Sequence, residues 1–518
     1  MEIFLLNSVK RNIFLFKRNT SDFLDPTYIN ILSKSNKTPP QNLSAAFSEK
    51  NLMARTKIVI IELRTHLLLT SGKEPLMKNT FDESKIVFSF AAISDIHMCN
   101  DNTGRDKAFF TNALTQIKEF GGVDAILAVG DLINAGGYGG KFEQIYVYKK
   151  VFESVFDPKE MPMIFAVGNH DVHWSPESKT EAAKLNEMLG PDYFLKDVDQ
   201  NILATEGNRH CVVNGYHIIT LLPVTYTDVT YTQATKDWLD RTLAEITSEN
   251  PNTYVIILTH PMIYDTVYGS TLGREQDSTL KDMWVTSDLT DILSKYNQVI
   301  TFGGHLHFPL NDPRSIMQTA FTSVGCGSVS YMAIEDGGYE NMASLTTMKD
   351  KFEFSQGLIC QIDENGNMRL NRMDFYNKTT IDAPWEIAHP TADGAHLTAY
   401  GKDRGFPENN PAPVLSQNIK AVIGESNEEG NRPVTVEFGA AKDDTFAHHY
   451  TMELKKSGEA VKTFKILSDF YRVKTPAEMK DTLSCDLGAL APDNYEVILT
   501  AYDSWGAKSE AVSLAFTV

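Results

Sequence analysis

Five short stretches of this 518-residue chain carry side chains that bind metal ions or move protons, and each stands directly after a run of mostly apolar residues. Ser94-Asp95-Ile96-His97 follows residues 86–93, Gly130-Asp131 follows 123–129, and Gly168-Asn169-His170-Asp171 follows 162–167. Thr259-His260-Pro261 follows 253–258, and Gly303-Gly304-His305-Leu306-His307 follows 298–302. Apolar runs this short read as buried strands rather than helices. Ligands bind beyond the carboxyl ends of strands in open α/β sheets, so five such ends in one chain define a candidate site. Asp95, His97, Asp131, Asn169, His260, His305 and His307 offer three oxygen-type and four imidazole ligands, a mixture that suits Mn, Fe or Zn. Seven ligands are too many for one tetrahedral ion. Two ions sharing a bridging carboxylate would use them all, and paired ions about 3.5–4 Å apart clamp the attacking and leaving oxygens of phosphoryl displacements.

The elements between these stretches alternate. Phe109, Phe110, Ala113, Leu114, Ile117 and Phe120 recur at helical spacing and Gly121-Gly122 stops the pattern, predicting a helix over residues 105–120. An amphipathic segment at 142–156 and helices at 178–189 and 232–247 continue the series. Cys211-Val212-Val213 and His217-Ile218-Ile219, joined by Asn214-Gly215, read as a hairpin. Such strand and helix alternation predicts an α/β domain with parallel strands, completed by antiparallel strands near 357–375. Residues 380–413 hold five prolines and several glycines and read as a linker or loose loop. Short alternating runs in 414–518, such as residues 434–438 and 495–502, predict an all-β sandwich.

The formal net charge of −19 argues against a nucleic-acid polymer as partner, since that affinity rests on Lys and Arg neutralising phosphates. Bound metal ions would supply the local positive charge an anionic substrate needs. Five scattered cysteines indicate neither a disulfide framework nor a zinc finger, and favour a reducing compartment. Residues 1–84 are expected to form a poorly ordered extension. The segment 35–48 is rich in Ser, Asn, Lys and Pro, residues 57–70 carry Glu62, Arg64 and His66 and so do not span a membrane, and a start at Met77 would suit the fold. With no signal peptide or spanning segment recognised, a cytoplasmic location is expected, with a secreted or cell-surface one as the alternative.

Taken in order, the five stretches resemble the signature of the calcineurin-like metallophosphoesterase family: Asp-x-His, Gly-Asp, Gly-Asn-His-Asp/Glu, a His, and Gly-His-x-His. The resemblance covers residues 86 to about 375. It implies a four-layer αββα sandwich for 85–380, in which Asp95, His97 and His307 hold one divalent ion, Asn169, His260 and His305 hold the other, and Asp131 bridges them. It further implies attack on phosphorus by a metal-bridging hydroxide, with His170 free of metal to protonate the leaving oxygen or stabilise phosphoryl charge, and Asp171 orienting His170. Purple acid phosphatases of this family have a metal-binding Tyr three residues after the Gly-Asp aspartate, and protein serine/threonine phosphatases have Asp followed by Arg-Gly. This chain has Asn134-Ala135-Gly136, which disfavours a tyrosinate-bound ferric ion and a phosphoprotein substrate. It looks most like the bacterial phosphodiesterase group that includes class III cyclic nucleotide phosphodiesterases. Hydrolysis of small phosphodiesters is therefore expected, with phosphomonoester hydrolysis or an inactive binding scaffold as alternatives.

The segment Leu490-Ala491-Pro492-Asp493-Asn494-Tyr495, with Ala501-Tyr502-Asp503-Ser504-Trp505-Gly506 beyond it, resembles the last strands of a fibronectin type III domain. That module reads as a packing or spacer unit. His448-His449 is expected to face solvent, and His66, His210, His217, His389 and His396 to be core or surface groups. His173 and Trp174, with Tyr264 and Tyr268, are candidates either for lining the pocket or for loop packing.

Overall fold

The computed structural model describes residues 2–8, 11–17, 81–99, 104–135, 141–172, 178–190, 207–226, 228–271, 285–334 and 352–518. Residues 1–78 are a unit of their own, described as an antiparallel hairpin of β1 (Glu2–Ser8) and β2 (Arg11–Lys17). Of the rest of the expected extension, residues 18–80, with His66 and Met77, lie outside the described residues, while residues 81–84 lead into the second unit.

In the second unit, β3 (Ile86–Ile93), α1 (Arg105–Glu119), β4 (Ala125–Val129), α2 (Gln144–Glu153), β5 (Met163–Ala166) and α3 (Ser178–Leu189) alternate as the apolar periodicity predicts. Then come β6 (Arg209–Val213), β7 (Tyr216–Leu221), α4 (Gln233–Glu249), β8 (Val255–Thr259), β9 (Met262–Ile263), β10 (Val285–Thr286), α5 (Thr290–Leu293) and β11 (Val299–Gly303). The series ends with β12 (Ile316–Gln318), β13 (Thr322–Gly325), β14 (Gln356–Asp363), β15 (Met368–Asp374), β16 (Thr379–Thr380) and β17 (Trp385–Ile387), of which β13 runs parallel to β11 and the others antiparallel to their neighbours. One sheet has the order β16-β15-β14-β3-β4-β5, with β17 on β15, and the other β12-β13-β11-β8-β7-β6. Asn214 and Gly215 both take positive φ in the β6–β7 turn, as a two-residue hairpin loop requires.

The strand sequences explain the layering. Phe88, Phe90 and Ala92 of β3, with Leu127, Ile164, Ile256, Leu258, Ile300 and Phe302, fill the space between the two sheets. The alternate residues Ala91 and Ile93, with Ile126 and Phe165, face Phe110, Ala113, Leu114 and Ile117 of α1. Val255, Ile257 and Val299 face Trp238, Leu239 and Leu243 of α4. Buried on both faces, these strands must be apolar throughout, and the result is four layers in the order α-β-β-α. Among the described residues no helix is long and apolar enough to cross a membrane.

Residues 414–518 form two antiparallel sheets. They consist of β18 (Ile419–Ile423), β19 (Arg432–Gly439) and β22 (Thr482–Leu490), and of β21 (Glu459–Leu467), β20 (Ala447–Lys456), β23 (Asn494–Asp503) and β24 (Val512–Thr517). They close on one core that includes Val436, Tyr450, Met452, Cys485, Val497 and Leu499, which makes the predicted all-β sandwich.

Two expectations need correcting. The stretch 380–413 is a packed segment, not a loose linker. Trp385–Ile387 pairs with Leu370–Met368, Ile381, Trp385 and Ile387 join the inter-sheet core, and Arg404 donates to the carbonyls of Pro313 (3.0 Å) and Ile316 (2.6 Å). Proline and glycine content signals turns, and turns pack when apolar residues between them meet a sheet edge. His448-His449, expected in solvent, sits where the sandwich docks on the α/β domain. His448 is buried with Nε2 3.2 Å from the Tyr268 hydroxyl, and His449 stacks flat on Tyr502 at 4.7 Å. Strand alternation cannot show what a neighbouring domain covers. His396, by contrast, is a satisfied core group between Asn297 and Thr391, and His210 and His217 pair with each other at 2.8 Å.

Burial, aided by His448, Lys465 and Arg314, pushes the His449 imidazole down to about 3. An unfolded chain takes up that proton near pH ~6.5 and the folded one does not, so this contribution to stability is complete above that pH and lost as pH falls below it. Between about pH 7 and about pH 4 the melting temperature of His449→Phe is expected to fall less than that of the parent chain. Equal falls would show that His449 does not carry the effect.

Candidate metal centre

β3, β4 and β5 run parallel in one sheet, and β8 and β11 in the other, so their carboxyl ends open on the same side of each sheet. The loops beyond β3 and β4 continue the pairing, with Asp95 N–H to Gly130 O (3.1 Å), His97 N–H to Asp131 O (2.9 Å) and Met98 N–H to Leu132 O (3.0 Å). The Gly304 N–H donates to His260 O at 3.0 Å, tying the other two loops together. Within these loops Asp95, His97, Asp131, His305 and His307 all have φ between +48° and +72°. They are five of the ten non-glycine residues with positive φ among the described residues. Asp and His tolerate that region better than most residues, yet each such conformation costs on the order of 1–3 kcal/mol and marks positions whose backbone serves a site.

All seven candidate ligands converge and are buried. Ligand atoms of Asp95, His97 and His307 form one group and those of Asp131, His260 and His305 another, each within 4.8 Å. A third grouping joins His97 and Asp131 to His170. His307 Nε2 is 3.0 Å from Asp95 Oδ1 and 3.1 Å from His97 Nε2, and Asn169 Oδ1 is 3.1 Å from His260 Nε2. Asp131 lies between the two groups. Its Oδ2 is 3.2 Å from His260 Nε2 and 3.7 Å from His97 Nε2, yet is buried with no hydrogen-bond partner. A buried carboxylate oxygen without a donor is costly, and a cation would satisfy it. Imidazole tautomers agree. His260 Nδ1 lies 2.7 Å from Val129 O and His307 Nδ1 3.0 Å from Tyr331 O. A carbonyl only accepts, so each Nδ1 carries a proton and Nε2 is the nitrogen turned toward the centre. The donor set therefore fits divalent ions of borderline hardness.

Charge is arranged accordingly. Burial opposes the Asp95 carboxylate, but His307 and His97 outweigh it and hold the group well below the ordinary range. Burial opposes the charged form of His260 as well, but Asp131 lifts it to about 9. His305 is pushed down to about 3 by burial and by the charge of His260. His170 is likewise pushed to about 3, by burial first and then by neighbouring imidazoles, against Asp131.

One expected contact is replaced by another. Asp171 does not orient His170. Its carboxylate accepts from the N–H groups of Ile133 (2.9 Å) and Gly168 (2.8 Å), and burial followed by the charge of Asp131 raises it to about 7. Turning back on the N–H three residues earlier, it braces the loop rather than the imidazole that precedes it. Asn134 Oδ1 meets His170 Nδ1 instead, and the His170 N–H donates to Asp131 Oδ1 at 2.8 Å.

Two tyrosines were not foreseen. Tyr226 donates to Val167 O and packs edge-on to His260 at 6.2 Å. Tyr331 lies 4.2 Å from His307 and 5.3 Å from His97, ring centre to ring centre. Neither belongs to a motif, and only the fold reveals them. Tyr268 sits at the sandwich junction, Tyr264 packs beside the same cluster, and His173 and Trp174 lie outside the described residues.

Residues 88–309 match the family described as calcineurin-like phosphoesterase. No curated protein matches the chain. Among solved structures, a purple acid phosphatase, PPD1, from yellow lupin (Lupinus luteus) seeds aligns at 14% identity over 59% of this chain and 55% of its own, with a TM-score of 0.41. The match thus spans little more than half the lupin enzyme. GAP50, described as the anchor in the inner membrane complex of Plasmodium, aligns at 14% identity over 61% of this chain and 96% of its own, with a TM-score of 0.34. A cold-active protein-tyrosine phosphatase of a psychrophilic Shewanella aligns at 12% identity over 57% and 80%, with a TM-score of 0.22.

A Cβ added at Gly168 would overlap both Oδ1 and the backbone nitrogen of Asp131, neither of which can yield without moving the loop. Gly168→Ala is therefore expected to retain its far-ultraviolet spectrum but to bind added Mn²⁺ at least about tenfold more weakly, the scale of loss that follows when the groups orienting a metal ligand are disturbed. Parental affinity, measured by titration calorimetry on the stripped protein, would refute the close-approach argument.

Proposed function

Since residues 88–309 form a calcineurin-like metallophosphoesterase domain, we propose that this chain is a two-metal-dependent phosphoesterase that hydrolyses small phosphodiesters, cyclic nucleotides among them. The observation that carries this reading is the donorless Asp131 carboxylate oxygen between two groups of buried ligands. Asp95, His97 and His307 would hold one divalent ion, Mn, Fe or Zn, and Asn169, His260 and His305 the other, with Asp131 shared. When bound, such ions supply positive charge to phosphoryl oxygens and lower the pKa of water at the site.

The chain's own groups do the rest. Asn134 occupies His170 Nδ1, so proton exchange with a substrate oxygen falls to Nε2. Asp171 keeps the turn that carries Asn169 and His170 in register through its two backbone N–H contacts. Asn134 stands where purple acid phosphatases place a tyrosine and protein phosphatases an aspartate, which supports a preference for diesters over monoesters and phosphoproteins. For the sandwich we favour a fibronectin type III-like reading. Three strands oppose four, and the Tyr495 hydroxyl donates to Ala491 O at 3.1 Å, as in a tyrosine corner.

The test is hydrolysis of bis-p-nitrophenyl phosphate and p-nitrophenyl phosphate by metal-stripped protein with added Mn²⁺. Manganese is expected to restore activity with the diester preferred. Asp131→Asn is expected to lose at least about 100-fold in kcat, and Asn134→Ala a smaller factor of about 10 to 100, less than the roughly 100- to 10,000-fold of a whole general acid–base contribution because His170 itself remains. Preference for the monoester would overturn the diester assignment. Full metal occupancy without turnover of any phosphate ester would favour the scaffold reading.

A further inference from the structure

A cavity of about 410 Å³ opens at the seam between the α/β domain and the sandwich, and none of the residues lining it is a candidate metal ligand. Two hydrogen bonds tie its walls together. Asn311 Nδ2 donates to Val473 O at 3.0 Å, and the Asp382 N–H donates to Lys474 O at 2.9 Å. The buried part of the lining includes Arg372 and Trp385 from the α/β side and, from the sandwich, Phe446 and Phe470, whose rings stack at 4.5 Å. Asp382, Ala383, Asp444 and Lys474 are its exposed rim.

The polar part of this lining is incomplete. A guanidinium has five N–H donors, and Arg372 commits two of them, to Leu310 O (3.1 Å) and Ala383 O (2.6 Å), while its Nε has no hydrogen-bond partner. The same guanidinium lies 4.7 Å over the Trp385 ring. Arg404, which also lines the cavity, finds oxygen acceptors only in the backbone carbonyls of Gly401, Pro313, Ile316 and Tyr400. Among the described residues the one carboxylate within 4.0 Å of either guanidinium is Asp382, whose Oδ2 stands 3.8 Å from Arg372 Nη2 and whose side chain is half in water. Burial pushes both guanidinium groups down to about 10. Buried charges are ordinarily paired. Here three cations, Arg372, Arg404 and Lys474, meet two rim carboxylates, Asp382 and Asp444, so the cavity is short of negative charge.

The dimensions suit a small molecule. Ligand pockets of about 300–1,000 Å³ occur preferentially between domains, with mostly apolar walls and a few polar groups that fix orientation. Guanidinium groups recognise carboxylate and phosphate, and the aromatic walls accept an apolar ring.

We propose that this junction cavity binds a small organic anion, a phosphate- or carboxylate-bearing molecule with an apolar ring, its head at Arg372 and its body against Trp385, Phe446 and Phe470. The site goes beyond the phosphoesterase reading and stands independently of it.

The experiment is titration calorimetry on the full chain after chelation, with phenylphosphonate, benzoate and benzyl alcohol as probes. Chelation leaves the anions no ion to coordinate at the metal centre. At least one anion is expected to bind at a single site, about tenfold or more tighter than the uncharged alcohol, the scale of one hydrogen bond to a charged group. The tighter anion identifies the head as phosphate-like or carboxylate. Arg372→Met is expected to lose about tenfold or more. Ala383→Trp, on the exposed rim, should obstruct the mouth and lose a similar factor with an unchanged circular dichroism spectrum, and it decides the matter if Arg372→Met does not fold. Asp131→Asn, at the metal centre, should bind the anions as the parent does. Binding of neither anion, equal affinity for benzyl alcohol, parental affinity in Ala383→Trp, or loss of binding in Asp131→Asn would each overturn the assignment while leaving the phosphoesterase reading intact.

Discussion

The centre depends on one buried carboxylate. Asp131 receives the His170 N–H on one oxygen and turns the other toward His260 and His97. Full burial penalises its charge, and the surrounding imidazoles are what keep it ionised. Everything else in the α/β domain can be read as the means of bringing those imidazoles to it from separate strands. Two sheets lie face to face, with strands apolar on both faces so that polar groups occur only at the ends, and small loops let those ends approach within hydrogen-bond distance.

This arrangement also explains which parts of the structure were legible in the sequence. Strands buried on both sides read as uninterrupted apolar runs, so Ile86–Ile93 and its counterparts stood out, and the ligands stood out because they came directly after them. The α/β alternation and the all-β region followed from the same periodicities, whereas the αββα layering was implied by the family resemblance. Relations across the fold were not legible. Asn134 reaches His170 over 36 residues, whereas the adjacent Asp171 faces the backbone, so proximity in sequence pointed to the wrong partner. Tyr331 lies in a loop without a motif, and the Pro-rich stretch ending at 413 looked like a tether because its buried apolar residues, Ile381, Trp385 and Ile387, are few and are followed by a long polar run broken by prolines and glycines.

The docking of the sandwich belongs to the same class of hidden relation. Met332 and Ile334, which follow Tyr331, and Phe354 pack against Phe446, Phe470 and Tyr471 of the sandwich. Tyr268, on the loop that follows His260, meets His448 while Arg314 covers its ring at 3.9 Å. Two loops that border the candidate centre thus take part of their support from residues more than a hundred positions away.

The left-handed backbone at Asp95, His97, Asp131, His305 and His307 bears on how such a site can change over descent. Each of these positions is filtered twice, once for a group that coordinates and once for a residue that accepts positive φ. Asn, Asp, His and Gly pass the second filter with the least penalty, and β-branched residues fail it. A lineage that abandoned the chemistry would therefore not drift freely at these positions but would collect asparagine and glycine there. The imprint of a former centre would remain readable in the loops long after the last ligand had gone.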